Sequence, residues 1–365
     1  MRRSIVFGTD AFTELIPVAQ AAERAGFHRL WTTEYTGRDA VLRALMLAGA
    51  TRTIGVGTGI AYAFSRAPLA MAATAADAFA ASGGRFTLGL GAGTRGMRTR
   101  WYAAEFDHPA PRLADYVRLM RATWAAGADG LDYTGDFYTL RIPAFRPGHP
   151  AQELTGLPVY GAGLNRIMLR HAAGSCDGVA LHPLAASEHY LNEVAAPAIR
   201  LGRQQGERPD GSLAVWLITS IDDDAEVARR RARISLAFYF STPSYRTITE
   251  GTPWQRAGEA IRAGFLDEGA QWESLSRLVP DEMVDAFALA GTPEDVRGRI
   301  GGYERRFAEA GADELVFQTV GETLTREQVV ANCARIVDVL AARPAHPNPQ
   351  DPTPTPDGTR TDEAR

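Results

Sequence analysis

A carboxylate at Glu34 and an imidazole at His182 each follow a short apolar run, where a side chain leaves a strand and enters a ligand site. Glutamate there can hydrogen-bond a ligand, or move a proton once burial raises its pKa. The alternative is a rim charge paired with an arginine. Histidine titrates nearest neutrality and can donate or accept, although a lone histidine is usually a satisfied structural residue. Three small-residue stretches also end apolar runs: Thr58-Gly59-Ile60, Gly91-Ala92-Gly93 and Gly161-Ala162-Gly163-Leu164. Such residues let backbone approach a planar ligand and expose N–H groups to anions, or they simply make tight turns. The third stretch opens the helix expected from Asn165, whose N-terminus suits a phosphate. Arg95, Arg98 and Arg100 could meet an anionic ligand tail or form a solvated helix face.

Several chemistries are excluded. The chain has 365 residues and 39 cationic side chains, all arginine, so neither a Schiff-base lysine nor a P-loop lysine exists. Cys176 and Cys333 are too few for a disulfide framework or a thiolate metal site, and no H-x-H or ordered ligand set suggests a metal. A net charge of −4 gives no footprint for nucleic acid or anionic membranes. No apolar run approaches the ~20 residues that cross a bilayer, and the Met-Arg-Arg start lacks a signal-peptide pattern, so a cytoplasmic protein is expected.

The elements that must position these residues alternate regularly. Strands are predicted over 4–7, 28–32, 54–60, 86–91, 158–161, 178–181, 213–219 and 315–319. Helical spacing falls between them, over 12–25, 40–48, 69–81, 114–125, 165–173, 188–205, 223–240 and 326–342. Gly291-Thr292-Pro293-Glu294-Asp295 has the form of a capped helix start. About eight strand-helix pairs predict an α/β fold, a (β/α)8 TIM barrel with insertions after strands 4 (92–157) and 7 (242–290). An open doubly wound sheet is disfavoured, because no G-x-G-x-x-G follows the first strand. One domain is expected over 1–342, with a disordered Pro-rich tail over 343–365. Trp101, Phe145, Trp254 and Trp272 are expected to pack the insertions rather than line a cavity.

The run Ser82-Gly83-Gly84-Arg85-Phe86-Thr87-Leu88-Gly89-Leu90-Gly91-Ala92-Gly93 resembles the S-G-G-R-F-x-L-G-L-G-x-G signature of the luciferase-like monooxygenases and F420-dependent oxidoreductases. Trp31 to Glu34, Val56 to Ile60, Arg66-Ala67-Pro68, Pro158 to Gly163 and Gly291 to Asp295 agree in order and spacing. Glu34, the Ala61 to Arg66 run and His182-Pro183 are most similar to the F420-dependent branch. The resemblance implies coenzyme F420 as cofactor, with FMN the alternative, and hydride transfer at deazaflavin C5 to or from a small organic substrate. It implies a non-proline cis peptide at Gly59-Ile60 that bulges behind the ring. Thr58, Gly59, Ile60, Gly91, Ala92, Gly93, Gly161, Ala162, Gly163 and Leu164 are the implied cofactor contacts, with Glu34 and His182 handling protons. With FMN, the protein would be a monooxygenase fed by a partner flavin reductase. A non-redox reading, a hydrolase or ligand-binding barrel, also stays open, as does a homodimer.

Overall fold

The computed structural model describes residues 1–341 except 127–129, 145–150, 155 and 270. Phe145 and the expected tail lie outside the described residues.

Eight parallel strands close on themselves: β1 (Arg2–Phe7), β2 (Arg29–Thr32), β3 (Gly55–Thr58), β4 (Phe86–Gly91), β5 (Val159–Gly163), β6 (Gly178–Leu181), β7 (Ser212–Ile221) and β8 (Glu314–Thr319). Each pairs with the next, and β8 returns to β1, with Ile5 opposite Phe317. This is the TIM barrel that the alternation predicts. Its helices are α1 (Ile16–Arg24), α2 (Ala40–Ala50), α3 (Pro68–Ala81), α4 (Pro109–Ala125), α5 (Arg166–Ser175), α6 (Ala196–Gln205), α7 (Ala225–Phe240), α8 (Gln255–Glu268), α9 (Pro293–Glu309) and α10 (Arg326–Val339). Helix α9 starts at the expected cap: Thr292 and Asp295 form a reciprocal capping box with Pro293 at the first helical position.

The expected third strand, 54–60, is broken. Strand β3 stops at Thr58, and a two-residue strand, Ala61–Tyr62, resumes pairing with β4. The second insertion is more ordered than its irregular sequence suggests. It contains α8 and a strand, Ala288–Gly291, that pairs with the far half of β7. Trp254 packs on Phe287 and Trp272 stacks on Phe265, both inside this insertion, so packing explains those two residues. The first insertion carries a hairpin, Leu131–Thr134 against Thr139–Ile142.

Large rings and absent side chains fill the barrel interior together. Trp31, Tyr160 and Trp216 project inward, with Trp31 ring centroids 5.2 Å from Trp216 and 5.7 Å from Tyr160. Glycines face them: a Cβ on Gly57 would lie 3.0 Å from the Trp31 ring, and one on Gly178 would lie 2.6 Å from Tyr160. The floor is polar. Glu314, fully buried, accepts from Ser4 Oγ (2.7 Å), Arg29 Nη1 (2.7 Å) and Trp31 Nε1 (2.8 Å), so the charge is paired and its lone pairs are used. A plugged lumen leaves the C-terminal rim of the strands as the place for a ligand.

Candidate active site

The interruption after β3 is a bulge held by Thr32 on one side and Glu34 on the other. The Gly59–Ile60 peptide is cis. Gly59 N–H donates to Thr32 O (2.6 Å), and Glu34 N–H donates to Ile60 O (3.0 Å). The Glu34 carboxylate then accepts from Tyr62 N–H (3.2 Å) and from Arg66 Nη1 (2.9 and 3.0 Å). Arg66 also pairs with Asp39, whose side chain caps α2 through Leu42 N–H (2.8 Å). The start of α2 is thus tied through Arg66 and Glu34 to the bulge. Burial pushes the Glu34 carboxyl above the ordinary carboxylate value, against the pull of Arg66. Both carboxylate oxygens of this expected acid/base residue are committed to the bulge and its arginine.

Ile60 is half-buried at the centre of the mouth. Gly91 and Ala162 stand beneath it: a Cβ on Gly91 would lie 2.1 Å from Ile60 Cδ1 and 3.4 Å from Ala162 Cβ. Below the bulge is the interior, where a Cβ on Gly59 would meet Trp216 Cζ2 at 2.6 Å. Thr58 lies beneath this surface, fully buried, exchanging hydrogen bonds with the Gly89 backbone (2.8 and 2.9 Å). Gly93 has φ 71°, the left-handed region that favours glycine, and carries the chain away from β4 beside Tyr62. The structure therefore gathers Gly59, Ile60, Gly91, Ala162 and Gly93 at one surface.

Gly161 and Gly163 point the other way. A Cβ on Gly161 would meet Ala172 Cβ at 2.8 Å and Cys176 Sγ at 2.9 Å, and one on Gly163 would meet Met168 Cβ at 2.9 Å. Their lack of side chains lets α5 lie against β5. Asn165 caps α5 through Met168 N–H (2.9 Å), and Leu164 O accepts from Tyr190 OH (2.6 Å).

His182 follows β6, three strands round the barrel from β3, and is half-buried between Tyr245 (centroids 4.7 Å apart) and Tyr239 (5.1 Å). Its Nδ1 accepts from Leu184 N–H (3.2 Å), so the ring's proton belongs on Nε2, for which no described residue is a hydrogen-bond partner. Burial pushes its pKa down to about 3. At neutral pH the ring is an uncharged donor. Tyr239 OH accepts from Gln318 Nε2 (2.6 Å), whereas Tyr245 OH has no hydrogen-bond partner among the described residues, and burial pushes it up to about 12.

Tyr102, Tyr239 and Tyr245 are candidate site residues that the sequence does not flag, and Tyr62 is marked there only as part of the Ala61 to Arg66 run. Tyr239 and Tyr245 lie on the helix after β7 and in the aperiodic insertion beyond it, where no pattern distinguishes a lining ring from a packing one. Tyr62 packs edge-on against Tyr102 (5.5 Å), and Tyr35 against the half-exposed Trp101 (5.4 Å), so 97–102 covers one side of the mouth. His28 belongs to the opposite, N-terminal end. Among the described residues there is no group of three or more His, Cys, Asp or Glu able to hold a metal ion. No helix there is long and apolar enough to cross a membrane.

The profile of the family described as luciferase-like monooxygenase matches residues 3–310. The chain belongs to that family. Family membership makes it an oxidoreductase. It is 34% identical over 291 residues to an uncharacterised protein of Mycobacterium tuberculosis strain H37Rv, covering 77% of this chain and 84% of the other. It is 28% identical over 324 residues to the 5,10-methylenetetrahydromethanopterin reductase of Archaeoglobus fulgidus, covering 87% and 92%. The solved structure of the coenzyme F420 dependent tetrahydromethanopterin reductase from Methanopyrus kandleri superposes with a TM-score of 0.74 at 20% identity, covering 92% of this chain and 97% of that one.

Proposed function

We propose that this family member is an F420-dependent oxidoreductase that moves a hydride between deazaflavin C5 and a small organic substrate at the barrel mouth. The observation that carries the reading is the Gly59–Ile60 bulge, which sets Ile60 over Gly91, where no side chain stands and Ala162 is the neighbour. A flat ring fits such a surface, because it offers apolar contact and backbone without a side chain in the way. The reductase names of the Archaeoglobus relative and the Methanopyrus neighbour support the same reading.

In this reading Thr58, Gly59 and Ile60 back the ring, Gly91, Ala92, Gly93 and Ala162 border it, and the Gly161–Leu164 turn at the start of α5 meets the phosphate through backbone N–H groups. When bound, the deazaflavin supplies two-electron hydride chemistry. The rest is done by this chain. Glu34, through Arg66, fixes the bulge and hence the height of the surface under the ring; it is a positioning residue. His182, its tautomer set by Leu184 N–H, directs Nε2–H at a substrate oxygen. A ring that stays neutral stabilises charge developing on that oxygen without itself titrating. Tyr245, protonated throughout the neutral range, is the second donor, its hydroxyl free of a competing bond within the described residues. The rings of Tyr62 and Tyr102 keep water from the other side. The site works in a protein of the cytoplasm, where a second enzyme restores the cofactor's redox state.

Anaerobic assays following the deazaflavin absorbance, with panels of alcohols, ketones and enones, test the proposal. His182→Phe keeps the ring packing and removes the donor. It should lower kcat about 100-fold, the scale for losing one aimed donor, with cofactor affinity within about threefold. Unchanged kcat would remove His182 from the site.

A further inference from the structure

Arg98 is 2% exposed, in the segment after β4, and most of its hydrogen-bonding capacity is unspent. Nη2 donates to Phe64 O at 2.8 Å, while Nε and Nη1 are buried with no partner. No carboxylate pairs with it among the described residues. The nearest cation, Arg112, lies 5.6 Å from the centroid of the same Phe64 ring that Arg98 covers at 5.5 Å, but it is itself paired with Asp107 and bonded to Tyr138 OH, so Arg98 alone is left unpaired. Burial and the repulsion of Arg112 both hold the Arg98 guanidinium below its ordinary pKa. Structural arginines at this depth are normally paired, because an uncompensated buried charge is costly. A buried, unpaired guanidinium with N–H groups to spare is the arrangement that an oxyanion completes.

The place is adjacent to the mouth. A Cβ on Gly93 would lie 3.6 Å from Tyr62 and 3.9 Å from Arg98 Cδ, so the Arg98 stem runs beside the tyrosine that Glu34 holds through its amide. The chain leaving Arg98 carries the half-exposed Trp101 and then two non-glycine residues in the left-handed region, Ala103 (φ 47°) and His108 (φ 41°).

We infer that Arg98, with Arg112 beside it, receives an oxyanion, a carboxylate or a phosphate, carried by a ligand of the barrel mouth. The inference deepens the oxidoreductase reading by giving the bound ligand an acidic group at this side of the mouth. It rests on that reading for the ligand's identity, and binding of inorganic phosphate tests it with no cofactor present.

The experiment compares thermal unfolding of the full chain and of Arg98→Met and Arg98→Lys in phosphate and in chloride of equal ionic strength. At a phosphate concentration ten times its Kd, the wild-type Tm should rise about 2 °C over chloride. Arg98→Met should show no such difference, and Arg98→Lys should keep part of it. General salting-out acts on all three alike and cancels in the comparison. In chloride, Arg98→Met should unfold no lower than wild type, because methionine fills the volume without an unpaired charge, whereas loss of a purely structural arginine would lower it. An equal phosphate shift in wild type and Arg98→Met, or none in wild type, overturns the inference. Titration with F420 and with its phosphate- and glutamate-free deazaflavin then identifies the source. A tenfold loss confined to F420 in Arg98→Met assigns the oxyanion to the cofactor, and equal affinities assign it to the substrate. If neither deazaflavin binds wild type, the cofactor proposal fails while the phosphate result still decides the site.

Discussion

A methyl group of Ile60 occupies the place where any side chain at position 91 would begin. The Cβ of an alanine there would lie 2.1 Å from Ile60 Cδ1, so the strand position and the bulge position cannot be chosen independently. The atom in the way is the end of a flexible side chain, so Ile60 would turn aside rather than the strand break. Gly91→Ala should therefore fold, with Tm within a few degrees of wild type, but present a different surface to the ring. Cofactor affinity should fall about tenfold, the scale of a modest overpacking penalty of about 1.4 kcal/mol. Ile60→Val removes Cδ1 and should recover most of the loss in the double variant. Additive losses would show that Ile60 and Gly91 act separately.

Glu34 is held too tightly for a freely titrating base. Glu34→Gln removes the charge that faces Arg66 inside the rim and should destabilise the fold by about 3 kcal/mol, the usual consequence of removing one partner of a buried pair. Cofactor affinity and turnover should then fall together, since the surface under the ring is what changes. A fall in turnover alone, at unchanged stability and affinity, would return the proton-handling role to Glu34.

Much of this was legible in the sequence because it depends on local pattern. Strand and helix periodicity yielded the barrel strands nearly to the residue, and Thr292-Pro293-Glu294-Asp295 marked the start of α9 through its own hydrogen-bonding capacity. The glycine motifs were legible as places but not as directions. Whether Gly161 faces a ring or α5 depends on strand pleat, and the structure turns it toward Ala172 and Cys176. The partnership of Glu34 with Arg66 is a contact across 32 positions, and an arginine is available near most carboxylates in a chain this rich in them. Tyr245 was illegible for another reason: a ring in an aperiodic insertion has no periodic face to betray it.

Two buried histidines contribute to the response to acid. Burial holds His182 down to about 3 and His28 down to about 4, against 6.5 for an ordinary histidine. Both are neutral in the folded protein and take up protons on unfolding. The stability they contribute is fully present above pH 6.5 and is lost as pH falls from 6.5 toward 4 and then 3. Tm measured across this window should fall in wild type and fall less steeply in His182→Phe. Identical slopes would mean that His182 is already charged in the folded state.

The central claim is that the bulge surface at Gly59–Ile60 receives a deazaflavin. The most direct test is a fluorescence titration of the purified protein with F420 and, separately, with FMN. Saturable F420 binding in the micromolar range is expected, weakened in Gly91→Ala, with FMN binding at least about tenfold weaker. Tighter binding of FMN than of F420 would contradict the claim.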